Sequence, residues 1–282
     1  MHATNHRSKR KERWGPNALP LLCYALVAAV SALLLWVGVG APWIAAALFG
    51  LGIFHGGLDR EEGRLVLPGW GYSGVYLILA ALMVGIVLMA PVAGLTAFFA
   101  LSVWHVAREN EGRSGDSIAS AAEALALVGA SALLRPQQTY ELVAAIAGRG
   151  ATGLTVILGI AGFAAALLTL WSLLRRSPLA PRLLLAFGGY ALLPPLVAIG
   201  AAFFAFHALP RLVELVGEAG WKRGLRLAGL GVIALVGATL VLFGMTVGWW
   251  SLAATAAVFI ALATPHMLLD RTLENEGTVE MH

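Results

Sequence analysis

The chain has 282 residues, of which 59% are hydrophobic and only 12% charged, with a formal net charge of +4. Soluble domains carry about a quarter charged residues, so a water-facing surface is excluded for most of this chain and lipid is the expected solvent. A single cysteine, Cys23, excludes an internal disulfide and a thiolate-rich metal site, and basic residues in short clusters between apolar runs speak for membrane topology rather than nucleic acid.

With about 20 residues per spanning helix, the sequence has room for eight to ten spans in one all-α bundle. Residues 1–18, with Arg7, Lys9, Arg10, Lys11 and Arg13, form a basic segment expected in the cytoplasm. The helical domain is expected over 19–270. Apolar runs predict helix 1 from about Leu19 to Val39, helix 2 from Pro42 to Leu58, helix 3 from Gly74 to Ala90 and helix 4 from Ala93 to Ala107. Helix 5 follows from Ile118 to Leu134. The short segment Tyr140 to Ala147 reads as interfacial or re-entrant, and helix 6 runs from Gly153 to Leu174. The stretch Arg182 to Leu215 holds two short helices, broken at Pro194-Pro195, because proline disfavours helix in the residue before it. Helix 9 runs from Leu225 to Met245 and helix 10 from Trp249 to Leu269, leaving 271–282 as a tail.

Positive charge tests the count. With the N-terminus inside and about ten alternating spans, every Lys and Arg except Arg135 and Arg149 falls in a cytoplasmic segment, the loop at Arg175, Arg176 and Arg182 among them. Both termini are therefore expected in the cytoplasm, and the protein is expected to be multi-pass in the cell membrane.

Four histidines lie in apolar surroundings: His55, His105, His207 and His266. In this topology they fall on helices 2, 4, 8 and 10, which all run inward, and each precedes a cytoplasmic break. All four are expected at one depth. Ionisable groups within a membrane are costly and mark function, and neutral imidazoles at one level suit a shared metal ion. One helical turn after each histidine comes a charge: Asp59, Glu109, Arg211 and Asp270. A carboxylate at that spacing shares the histidine's face and can accept its second ring N–H, fixing the tautomer. Asp59, Glu109 and Asp270 are the candidates for that part. Phe54, Trp104, Phe203, Phe204 and Phe206 adjoin the histidines and are candidate walls of an apolar tunnel.

Imidazole donors, one per helix and with few thiols, favour a single mononuclear centre. Zinc remains open, and non-haem iron, Fe(2+), is the best match to the ligand type. An iron site within lipid favours a hydrophobic substrate and O2, both of which reach it through the bilayer. A transporter, or a non-catalytic membrane partner with a histidine metal or proton site, is the alternative; a transport path would want polar groups along the whole membrane depth.

At these segments the chain resembles the Brp/Blh family of membrane-integral β-carotene 15,15′-dioxygenases, associated with microbial rhodopsins. The likeness rests on His55-Gly-x-x-Asp59, Ser102-x-x-His105, the Phe-rich His207 segment and Pro265-His266-Met267, in that order. It implies an iron(II) centre on His55, His105, His207 and His266 and oxidative cleavage of β-carotene, or a related carotenoid, to two all-trans-retinal. It also implies a functional link to a microbial rhodopsin. Two positions depart from the family pattern. Arg211 stands where members often carry a second histidine, and Val106-Ala107-Arg108 replaces a glycine-containing stretch. Either His266 serves as fourth ligand in compensation, or the activity is changed or lost in this chain.

Overall fold

A computed structural model describes residues 18–53, 69–213, 232 and 236–276, and among these there are helices and no strand. In chain order they are α1 (Ala18–Trp36), α2 (Ala41–Ile53), α3 (Gly69–Met89), α4 (Pro91–Ser114), α5 (Ser117–Leu134) and α6 (Pro136–Ala147). Then come α7 (Ala151–Leu174), α8 (Ala180–Leu192), α9 (Pro195–Ala202), α10 (Val236–Thr246) and α11 (Leu252–Glu276). Among the described residues, five stretches are long and apolar enough to cross a membrane: Ala18–Trp36, Ser117–Leu134, Pro136–Leu174, Pro195–Val213 and Leu252–Leu269. The expected ten spans, and both termini inside, depend in part on residues outside the described set.

The outer faces are apolar. Leu22, Leu26 and Leu33 on α1, and Val156, Ile160, Phe163 and Leu167 on α7, are exposed. Contiguous apolar surface of that kind needs lipid rather than water. A helix satisfies its own backbone polar groups, which makes it one of the two structures that can span lipid.

The local stops follow from residue chemistry. α4 runs seven residues past its expected end at Ala107, because Glu109 and Arg113 pair at i,i+4. It stops at Gly115, whose left-handed backbone (φ 69°) returns its N–H to the Glu111 carbonyl. Asp116 then caps α5, accepting from the Ala119 N–H at 3.0 Å and from the Ser177 hydroxyl at 2.6 Å. Those two hydrogen bonds, the Ser177 one foremost, with Arg175 nearby, hold the Asp116 carboxyl below the usual carboxylate range. The Tyr140 to Ala147 segment is the body of α6, joined to α7 by a single tight turn over Gly148–Gly150. The break at Pro194-Pro195 is present: Leu193 and Pro194 are extended, and helix resumes at Pro195. The 13 residues of α8 cover about 20 Å, short of a hydrocarbon core about 30 Å thick.

α5 is the central wall. It is rich in Ala, Ser and Gly, and its buried residues contribute to the two larger cores as well as to a small cluster with Leu179 and Leu183. Ala126 and Ala130 join Tyr24, Leu48, Tyr190 and Phe206. Val128 and Ala132 join Met83, Leu95, Leu154 and Ile260. Against α7 the approach is limited only by backbone. A Cβ on Gly129 would overlap the Gly162 nitrogen, and one on Gly162 would overlap the Gly129 carbonyl oxygen. Lipid supplies no hydrophobic drive between helices, so close contact of small residues is what holds them.

Gly162→Val is expected to cost about 1–3 kcal/mol or more by overpacking, read as a lowered melting temperature of the purified protein in detergent. Asp116→Ala is expected to cost about 1 kcal/mol through the lost cap. The depressed Asp116 carboxyl contributes stability at pH above its unfolded value, about 3.9, and that contribution is lost as pH falls through the lower folded value. Asp116→Asn keeps the cap and removes this acid-side dependence, which thermal melts between neutral pH and pH 3 would reveal.

Candidate metal centre

Three of the four apolar histidines meet. His105 on α4, His207 just beyond α9 and His266 on α11 are all buried, and one ring nitrogen from each lies within 4.8 Å of the others. The ring of His105 stands edge-on to both partners, with centroids 5.3 Å from His207 and 4.9 Å from His266. His55 and Asp59, with Phe54, lie outside the described residues. α2 is described to Ile53, and its Gly52 abuts the Phe203 ring, which stacks on His207 at 5.4 Å.

Each imidazole is placed by a different local device. His105 stands on regular helix, and Ser102, one turn earlier, reaches Met267 Sδ at 3.7 Å, fastening α4 to α11 beside both histidines. His266 follows Pro265 within α11. Proline has no N–H and breaks the helical ladder; in the turn preceding His266, the Leu262 carbonyl accepts the Tyr76 hydroxyl from α3. His207 lies in a π-helical turn, Phe203–Ala208, where the Leu209 N–H returns to Phe204 rather than to Ala205. The sequence places a proline two residues past this turn. In an α-helix the Phe206 carbonyl would accept from residue 210, which is proline.

The carboxylate expected beside His105 serves two rings. Glu109 Oε2 lies 3.1 Å from His207 Nδ1 and 3.9 Å from His105 Nε2. Spacing along α4 predicts its reach to His105; the shorter contact crosses to another helix, where sequence spacing gives no guide. Arg113 balances its charge at 3.3 Å and also donates to Asn110 Oδ1 at 2.9 Å. Asp270 is on α11, with its side chain outside the described residues, and Arg211 is half-buried one turn after His207.

The aromatic candidates separate. Phe203 faces His207. Phe206 turns to the other side and stacks on Tyr24 at 4.5 Å. Phe204 is half-buried, and Trp104 is exposed with the Arg108 guanidinium 5.7 Å above its ring. A narrow cavity beside His207 is bounded by Phe206, Tyr190, Val106, Leu127 and Glu123.

One expectation is corrected. Arg182 is no loop charge. It is a buried residue of α8, paired with Glu123 of α5 at 2.5 Å. Glu123 drew no attention in the sequence. Its signal was available, since an acid inside an apolar span needs a partner.

Apolar helices that bury three converging imidazoles define an integral membrane protein with a candidate metal-binding core. The model of the Beta-carotene 15,15'-dioxygenase family matches residues 46–274, a stretch that includes all four apolar histidines. The chain belongs to that family. No curated protein and no solved structure matches it.

The donor set fits a divalent metal: neutral imidazoles do not repel one another, one ring nitrogen from each of the three lies within 4.8 Å of the others, and a carboxylate lies beside two of them. Glu109→Gln is expected to weaken metal binding about 10–100-fold, measured as Fe2+ or Co2+ affinity of the purified protein. Glu111→Gln, on the exposed side of the same helix, is expected to leave it unchanged.

Proposed function

We propose that this protein cleaves β-carotene, or a closely related carotenoid, at its central 15,15′ double bond with O2, using Fe(II) held by His105, His207, His266 and His55. The observation that carries the reading is the convergence of three buried imidazoles from three separate helices in a chain of this family. Bound iron would supply O2 activation next to the polyene.

The protein's own residues do the rest. His105, His207 and His266 offer buried imidazole donors. Glu109 Oε2, 3.1 Å from His207 Nδ1 and 3.9 Å from His105 Nε2, sets a carboxylate against two of the imidazoles, where it would help fix their orientation toward a metal. Arg113 Nη2, 3.3 Å from Glu109 Oε2, balances the charge of that carboxylate beside the imidazoles. Phe203, stacked on His207, presents an apolar face of the kind a polyene would pack against. Substrate and products are both lipid-soluble, in keeping with a bundle whose outer faces are apolar. The proposal includes a cell-membrane location and supply of retinal to a microbial rhodopsin.

Expression in cells that accumulate β-carotene tests the reading directly. Pigment loss accompanied by retinal, at two retinal per carotene consumed, is expected. His55→Ala and His266→Ala are each expected to abolish both cleavage and iron binding. Pigment loss without retinal would overturn the cleavage position, and full activity in both variants would overturn the ligand set.

A further inference from the structure

The bundle buries one ion pair that the metal centre does not use directly. Glu123 on α5 and Arg182 on α8 are 6% and 8% exposed, both far more enclosed than a lone ionised group tolerates. Arg182 spends its contacts in one place. Its Nη2 donates to Glu123 Oε1 and also to the carbonyl oxygen of Phe206, and its guanidinium lies 4.6 Å over the Phe206 ring. Phe206 immediately precedes His207. Its carbonyl is the one that Pro210 deprives of an α-helical donor. In lipid an unsatisfied carbonyl is costly, and Arg182 supplies the missing donor from a different helix.

The pair is also linked to the other side of the centre. The Asn110 side chain adjoins Glu123, and Arg113 donates to Asn110 and pairs with Glu109. Glu109 contacts His207 and His105. Polar groups therefore run from the imidazoles through α4 and α5 to α8 and back to the backbone before His207. α8 itself is fixed by the Tyr24 hydroxyl, which donates to the Ala186 carbonyl, and Tyr24 stacks on Phe206.

We propose that Arg182, anchored by Glu123, is a positioning residue for the metal centre: by holding the Phe206 carbonyl and ring it fixes the π-turn that aims His207. This rests on the metal reading above and assigns to the pair a part beyond it. An ion pair kept only for stability would be replaceable by apolar residues of similar volume, often at no loss of stability. A positioning pair would not be replaceable without disturbing His207.

The test uses the full chain in detergent micelles with Co2+ as the probe, because its visible absorption reports ligand number and geometry. The double variant Glu123→Met/Arg182→Met removes both charges together. It is expected to keep its helical circular dichroism, to bind Co2+ about tenfold or more weakly, and to show a shifted absorption band. Asp116→Ala, remote from the site and destabilised through its cap, is expected to bind Co2+ with the unsubstituted protein's affinity and band. A folded double variant with unchanged affinity and spectrum would overturn the proposal. Should the double variant not fold, Arg182→Lys carries the test. It preserves the charge opposite Glu123 but lacks the planar face over Phe206, so a shifted band supports the proposal and an unshifted one overturns it. Failure of the metal reading is separately visible: the unsubstituted protein would then take up no Co2+, and both proposals would fall.

Discussion

The organisation of this protein depends on one constraint, that a backbone carbonyl in hydrocarbon must find a donor. Two of the three converging histidines have a proline close by, Pro210 after His207 and Pro265 before His266. Each proline takes an N–H out of the ladder beside an inward imidazole: Pro210 deprives the Phe206 carbonyl, which Arg182 bonds, and Pro265 deprives the Ala261 carbonyl, next to the Leu262 carbonyl that Tyr76 bonds. The irregularities that would weaken a spanning helix have thereby become its points of attachment to neighbours.

Those attachments work because the helices behind them are closely seated. Gly129 and Gly162 bring α5 and α7 to backbone contact, and α5 shares its small side chains with both cores. With α5 fixed, Glu123 has a defined position from which to hold Arg182. A membrane bundle has little hydrophobic drive between its helices, so glycine contact and buried polar links share the work that apolar burial performs in water.

Much of this was legible in the sequence, and the remainder was hidden for a consistent reason. Composition gave the solvent, and apolar runs placed most helices within a few residues. An isolated histidine in an apolar run is conspicuous, so His105, His207 and His266 stood out before their convergence was visible. Contacts within one helix could be anticipated from spacing, as for Glu109 with His105. Contacts between helices could not: Glu109 with His207, and Glu123 with Arg182, join residues far apart in the chain. Arg182 was misread because a basic residue near a helix start resembles a topology signal. Pro210 was in plain view, but the π-turn depends on what its ring does to the Phe206 carbonyl, which is a question of backbone register rather than residue type.

That register has a kinetic side. A π-turn resembles a dislocation in a crystal: it can glide along a helix as successive hydrogen bonds exchange partners, carrying every residue it passes through a rotation about the axis. Gliding toward the C-terminus needs an amide hydrogen at each step, and residue 210 has none. Residue 210 thus stands outside the exchange, and Arg182 bonds the Phe206 carbonyl that it leaves without an α-helical donor. His105, by contrast, stands on regular helix. An irregular turn thus presents one imidazole, and a regular helix another, to the same cluster.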